Sequence, residues 1–172
     1  MVNRIRNIVA GVVAGAVGTA AMDLVWYRRY RRDGGKDSFW CWESASGVLG
    51  WDQASAPGLL GRKVLGALTG KPAADRWARP TTHVVHWTTG MGWGIQYALL
   101  AGWSSRHPWL GALALGPAAW SASYVVLPLA KVYRPVWEYD AHTLQQDLTA
   151  HLVYGAAAST TFALLTRPAG RR

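Results

Sequence analysis

The stretch that decides the fold is IVAGVVAGAVGTAAM, which runs from Ile8 to Met22. Its first ionisable neighbour downstream is Asp23, and four arginines follow within residues 28–32. An apolar stretch of about 20 residues with basic residues directly after it is typical of a transmembrane helix. A cleaved signal peptide is the alternative, with a possible site at residues 18–20. Apolar residues continue beyond that site, which favours the membrane span.

Three further apolar segments of similar length follow in the chain. With the first, they predict transmembrane helices at residues 5–27, 82–103, 109–129 and 144–166. We therefore expect an all-α membrane protein, with four transmembrane helices in an up-down bundle and residues 1–172 in one domain. Glycines spaced four apart, at Gly11 and Gly15 and again at Gly90 and Gly94, predict close helix packing.

The composition supports a membrane location. Hydrophobic residues make up 51% of the chain and charged residues 16%, whereas soluble domains carry roughly 25% charged residues. The 11 tryptophans suit membrane interfaces, where the indole ring is apolar and its N–H stays hydrated. The single cysteine, Cys41, excludes an intramolecular disulfide and a zinc site built from several cysteines.

The net charge of +9 indicates an anionic partner. The basic residues flank apolar segments, so we expect anionic lipid head groups as the partner and no nucleic acid. In the up-down path, twelve of the 18 basic residues lie on the side of the two larger loops. The positive-inside rule then predicts that these loops are cytoplasmic and that both termini are outside.

The only long loop is predicted at residues 28–81. Within it, PGLLGRKVLGALTG (residues 57–70) places apolar residues at helical spacing, with Arg62 and Lys63 between them. This pattern predicts a short amphipathic helix. It could lie on the membrane surface or pack on the end of the bundle, and the sequence leaves both open.

Five ionisable residues lie in or near the predicted spans and converge on the side of the larger loops. Charged groups inside a membrane are expensive, so each is a functional candidate. His83 and His86 are three residues apart, and Asp147 and His151 are four apart, so each of these pairs lies on one helix face. The cluster could relay protons, or His83, His86, Asp147 and His151 could hold a divalent metal; a haem is also compatible. A purely interfacial role is the alternative. The five residues are Asp23, His83, His86, Asp147 and His151.

The segment from Tyr133 to Gly155 mixes aromatic and acidic residues, and we expect it to be an interfacial or re-entrant loop. Its side chains either line a site or form an aromatic belt beside Lys131 and Arg134. No HExxH, phosphate-binding loop or nucleophile elbow occurs in the chain, so the sequence names no catalytic residue. The candidates in this loop are Trp137, Glu138, Tyr139, Asp140 and His142.

Two segments resemble the YagU-type bacterial inner-membrane proteins: HVVHW at residues 83–87 and DLTAHLV at residues 147–153. The resemblance covers roughly the C-terminal half of the chain. His86 stands where the family is expected to have asparagine, and Asp147 where it is expected to have glutamate. The resemblance implies a multi-pass protein of the bacterial inner membrane, linked to acid tolerance, and implies no catalytic residues.

Three classes of function are compatible with these features. The first is proton or small-ion handling, or membrane stress tolerance, through the polar cluster. The second is a membrane-embedded metalloenzyme that acts on a lipid or a quinone. The third is a structural or accessory subunit of a larger membrane complex. The small size of the bundle also makes a homo-oligomer plausible.

Overall fold

The computed structural model describes residues 2–100 and 108–167, and within these ranges the chain is helical and contains no strand. Short 3-10 turns at Asp75–Trp77 and Val136–Glu138 precede the fourth and sixth helices. The α-helices of this described part are α1 (Val2–Arg32), α2 (Phe39–Glu43), α3 (Ala56–Thr69), α4 (Ala78–Leu100), α5 (Pro108–Leu129) and α6 (Ala141–Thr166).

The observed helices correct two predicted boundaries. Helix α1 continues through the arginines to Arg32, because arginine is a good helix former and the first helix-ending residue is Gly34, whose φ is 95°. The long loop therefore begins at residue 33, not 28. Helix α6 begins at Ala141, so most of the expected interfacial loop is helical and His142 lies in a helix. The predicted end of the second span, residues 101–103, lies outside the described residues.

Within the described residues, three helices are long and apolar enough to cross a membrane, at Arg4–Arg32, Gly111–Leu129 and Ala141–Thr166. Helix α4 has sufficient length but is not among them. His83, His86 and Gln96 lower its mean hydropathy, together with several threonines and glycines. The all-α fold is confirmed for the described residues, and the three candidate spans suggest a membrane protein. The length and composition of α4 do not show the fourth predicted span.

The helices form two compact units. The first unit comprises Met1–Val25, Thr89–Ser121 and Ala141–Arg172, and the second comprises Trp26–Thr88 and Ala122–Asp140. The unit boundaries fall inside α1, α4 and α5, so each of these helices contributes residues to both units.

In the first unit, glycines bring α1 and α4 together in an antiparallel arrangement. A Cβ atom on Gly11 would lie 2.6 Å from the carbonyl oxygen of Gly94, and one on Gly15 would lie 2.5 Å from that of Gly90. Helices α5 and α6 approach as closely, since a Cβ on Gly155 would lie 2.6 Å from the backbone nitrogen of Gly116. Small residues allow this backbone contact, which drives helix association in lipid.

The core of the first unit combines small and aromatic side chains. The rings of Tyr97 and Phe162 meet edge to face at 5.5 Å, and alanines such as Ala14 and Ala158 fill the space beside them. The opposite face of α1 exposes Val9, among other apolar side chains. An apolar outer face beside a close-packed inner face is the pattern of a helix surrounded by lipid.

In the second unit, α3 packs on the first turns of α4. A Cβ on Gly58 would collide with the Thr82 hydroxyl, and one on Gly61 would lie 2.9 Å from the Val85 side chain. Helix α3 ends at Gly70, whose φ of 65° suits glycine. The predicted short helix is therefore confirmed, and it packs on another helix. Trp51 is buried nearby and donates from its indole N–H to the Ala73 carbonyl at 2.8 Å.

Candidate functional site

Helix α1 carries a buried stripe that changes from glycine to polar residues along its length. Gly11, Gly15, Thr19 and Asp23 follow at intervals of four and therefore share one helix face. Thr19 is fully buried and Asp23 is only 3% exposed. A buried carboxylate inside an apolar span is costly and rare, and it commonly marks a functional position.

The hydroxyl of Thr19 is held against the backbone of α1 and faces α4. It donates a hydrogen bond to the Gly15 carbonyl at 2.9 Å. A Cβ on Gly90 would collide with this hydroxyl oxygen, so glycine at position 90 allows the two helices to meet here. The Thr19 hydroxyl oxygen can still accept a hydrogen bond at this contact.

Tyr154 of α6 joins the same region. Its side chain is buried, and its hydroxyl donates a hydrogen bond to the Gly90 carbonyl at 2.7 Å. A Cβ on Gly18 would lie 2.8 Å from the Tyr154 ring, so the tyrosine contacts both α1 and α4. It brings a second buried hydroxyl group, after that of Thr19, to Gly90.

Asp147 and His151 form a pair on α6. The Nδ1 atom of His151 lies 2.9 Å from the backbone carbonyl of Asp147 and 3.4 Å from its carboxylate Oδ1. Both side chains are mostly buried. Because a carbonyl oxygen can only accept, we infer that Nδ1 carries a hydrogen, which leaves Nε2 as the nitrogen that can take up a proton.

The register of the helices places Asp23 at the level of this pair. Helix α1 runs antiparallel to α4, and α4 runs parallel to α6, since Gly90 meets Tyr154 and Tyr97 meets Phe162. From the contact of Gly18 with Tyr154, five residues forward on α1 lead to Asp23. Five residues back on α6 lead to a position between Asp147 and His151. These residues form a polar layer, defined as Thr19, Asp23, Asp147, His151 and Tyr154.

His83, by contrast, belongs to the second unit and holds a loop. Its Nδ1 lies 3.3 Å from the Glu43 carbonyl, and the Trp87 indole N–H donates to the Glu43 carboxylate at 2.8 Å. Arg79 donates to the Ser44 carbonyl at 3.0 Å. Residues 79, 83 and 87 share one face of α4, and this face secures α2.

The predicted metal site is divided between the units: His83 and His86 are in the second, Asp147 and His151 in the first. Among the residues that the structure describes, no group of three or more His, Cys, Asp or Glu side chains is placed to hold a metal. Metal or haem binding stays a prediction, as does a metalloenzyme activity.

Of the loop candidates in the second unit, Tyr139 belongs to an aromatic cluster with Tyr124 and Tyr133. Tyr139 meets the Tyr124 ring edge to face at 5.4 Å, and the Arg134 guanidinium lies 5.0 Å above the Tyr139 ring. Trp137, Glu138 and Asp140 are exposed. His142 is in the first unit, where its Nε2 lies 2.7 Å from Nε2 of Gln146. These contacts suit an aromatic belt more closely than an enclosed site.

Thr19 and Tyr154 are members of the polar layer that the sequence reasoning did not select. The signal was present in the spacing, because Thr19 lies four residues before Asp23, and Tyr154 lies three after His151. What the sequence could not give is the contact of each side chain with Gly90 on another helix.

The chain matches no protein-family model, no curated protein and no solved structure. The resemblance to YagU-type proteins therefore stays a prediction, and the functional argument rests on the geometry of the polar layer.

Proposed function

We propose that this chain is an integral membrane protein that handles protons, or a small cation, through the polar layer. Asp23 is the central group. The observation that carries the proposal is its burial, 3% exposed, on the inward face of a candidate span of 29 residues. An ionisable group inside a membrane span is costly and rare, which makes Asp23 a functional candidate.

The layer supplies the groups that proton transfer needs. Carboxyl and imidazole groups are the side chains that most often bind and release protons. His151 offers Nε2 as a second proton site, and the Asp147 carboxylate lies 3.4 Å from its Nδ1. The Thr19 and Tyr154 hydroxyls donate to backbone carbonyls, and their oxygens keep lone pairs that can accept a hydrogen bond.

The proposal includes α4 as a fourth membrane span. Its glycines pack against α1, and its Gly90 carbonyl accepts a hydrogen bond from α6, so its polar backbone is covered by protein. A helix enclosed by neighbouring helices needs less hydropathy than one that faces lipid. Four spans would put both termini outside and the larger loops in the cytoplasm of a bacterial cell, where acid tolerance is the process that proton handling would serve.

The test is a proton flux measurement with the full chain in liposomes. A pH-sensitive dye is trapped inside, and a potassium gradient with valinomycin drives protons across the membrane. We expect a flux above that of empty liposomes, and its loss in Asp23→Asn. Asp33→Asn is the matched control, because Asp33 is exposed in the turn after α1. Normal flux in Asp23→Asn, or no flux from the wild-type chain, would contradict the proposal.

An accessory role in a membrane complex is the second candidate. Large apolar side chains are exposed in the second unit at Trp40, Leu49 and Trp137. Exposed apolar groups of this size mark surfaces that bind a partner or lipid. Crosslinking in intact membranes tests this candidate: a partner that depends on Trp137, together with normal complex function in Asp23→Asn, would favour it over proton handling.

A further inference from the structure

The second unit contains a cleft of about 370 Å³ between α3 and the segment that follows α5. Its lining includes three basic residues and no acidic residue among those the structure describes. Apolar side chains complete the wall. The basic residues are Arg62, Lys63 and Lys131, and the apolar ones include Leu59, Pro72 and Val132.

The three basic side chains are exposed, and none of them makes an ion pair with a carboxylate in the described ranges. Arg62 also lies over the ring of the buried Trp51, with 5.7 Å from its guanidinium carbon to the ring centroid. This contact limits the positions that the guanidinium can take. Three like charges around one concave surface create a positive potential that attracts an anion.

Lys131 occupies an unfavourable backbone conformation at the edge of the cleft. Its φ is 54°, in the left-handed region that favours glycine. It ends α5 by a two-bond cap in which its own N–H donates to Pro128 and the Val132 N–H donates to Leu127, both at 2.8 Å. Glycine would serve this cap better, so the lysine side chain contributes something that the fold does not require.

Apolar side chains of the lining lie beside the three basic residues. Leu59 on α3 and Val132 after α5 both line the cleft and are partly exposed. Exposed apolar residues beside lysine and arginine are typical of a helix that lies in the interface of an anionic membrane. An anion with attached acyl chains would use both the basic and the apolar side chains of the lining, whereas a free ion would use only the basic ones.

We propose that this cleft is a binding site for the phosphate group of an anionic glycerophospholipid. Arg62, Lys63 and Lys131 contact the phosphate, and the acyl chains extend along Leu59 and Val132. The site is separate from the polar layer and does not depend on proton handling, because lipid binding can be measured in the absence of any gradient.

The experiment uses the full chain in an uncharged detergent. Binding of short-chain phosphatidylglycerol is titrated by tryptophan fluorescence, with short-chain phosphatidylcholine and inorganic phosphate as the other two ligands. The variants are Lys63→Gln and Lys131→Gly, and Lys36→Gln is the control, since Lys36 is an exposed loop lysine outside the cleft. Lys131→Gly removes the charge while relieving the backbone, so loss of binding there cannot come from a weaker fold.

We expect phosphatidylglycerol to bind more tightly than phosphatidylcholine, and each cleft variant to weaken it about fivefold, the usual effect of one basic residue near an anionic membrane. Lys36→Gln should bind as the wild type does. A different result is that inorganic phosphate binds as tightly as phosphatidylglycerol, with the same dependence on Lys63 and Lys131. That result would support a phosphate site and overturn the proposal that its ligand is a lipid. Equal binding of both lipids, or normal affinity in both cleft variants, would overturn the proposal.

Discussion

The hydroxyl of Tyr154 donates a hydrogen bond of 2.7 Å to the backbone carbonyl of Gly90, which lies 64 residues earlier in the chain. The bond joins α6 to α4 at the place where glycine also allows Thr19 of α1 to approach. Three helices of the first unit therefore meet at one backbone carbonyl. Because Tyr154 is buried, its hydroxyl has no access to bulk water and depends on this acceptor.

Substitution of Tyr154 with phenylalanine should lower the free energy of unfolding by about 1 kcal/mol, because it removes this hydrogen bond and preserves the ring. Unfolding of the detergent-solubilised protein by titration with sodium dodecyl sulfate, followed by tryptophan fluorescence, measures the change. Thr160→Val is the control, since Thr160 exposes its hydroxyl on the same helix. A loss no larger in Tyr154→Phe than in the control would show that the bond contributes nothing.

Glycine at position 94 should be essential to the contact of α1 with α4. Gly94→Ala would drive a methyl group into the Gly11 carbonyl oxygen, where only backbone atoms could move to relieve it. We expect a loss of about 2 kcal/mol in the free energy of unfolding, the usual effect of overpacking.

The matched control is Gly92→Ala on the same helix, because a Cβ there would have no neighbour within 4 Å. Alanine is the better helix former, so this variant should be more stable by about 0.5–1 kcal/mol. The same sodium dodecyl sulfate titration compares the two. Equal stability of Gly94→Ala and Gly92→Ala would contradict the glycine contact.

Local spacing predicted much of this fold. The apolar lengths predicted the three candidate spans, the Gly-xxx-Gly pairs predicted close helix packing without indicating the partner helix, and the spacing around Arg62 predicted α3. Each of these features depends on residues within a few helical turns. The interval of four between Asp147 and His151 likewise places both on one face, as the structure has them.

Contacts between distant segments could not be predicted from a single sequence. His83 was expected to belong to the polar cluster as a proton or metal site, but its partner is the Glu43 carbonyl, 40 residues earlier. Helix α4 is less apolar than the other long helices, partly because its first turns carry polar side chains that hold a loop. The pairing of Tyr154 with Gly90 is of the same kind.

The attachment of α2 to α4 should depend on Trp87. Trp87→Phe removes the donor to the Glu43 carboxylate and leaves that acceptor without its indole partner. A spin label on Cys41, the single cysteine, reports the motion of α2, because Cys41 lies within that helix and is exposed. We expect a more mobile spectrum in Trp87→Phe. Trp137→Phe is the control, since Trp137 is exposed, and an equal spectrum in both variants would contradict the attachment.

Proton handling by the polar layer predicts a specific role for His151. His151→Ala removes the Nε2 site while Asp23 stays in place, so the liposome flux should fall towards that of Asp23→Asn. His142→Ala is the matched control, because His142 is exposed on the same helix. If both histidine variants lose the same fraction of the flux, His151 has no particular role in the layer.

Substitution of Asp147 distinguishes proton transfer by His151 from the orientation of its imidazole ring. Asp147→Asn removes the carboxylate at 3.4 Å but keeps the backbone carbonyl at 2.9 Å, which still holds the hydrogen on Nδ1. The imidazole should remain oriented, although the carboxylate beside it is gone. We therefore expect Asp147→Asn to retain part of the flux that His151→Ala loses, with unfolding free energies measured for both. A complete loss of flux in Asp147→Asn with normal stability would mean that the carboxylate itself carries the proton, and that His151 only positions it.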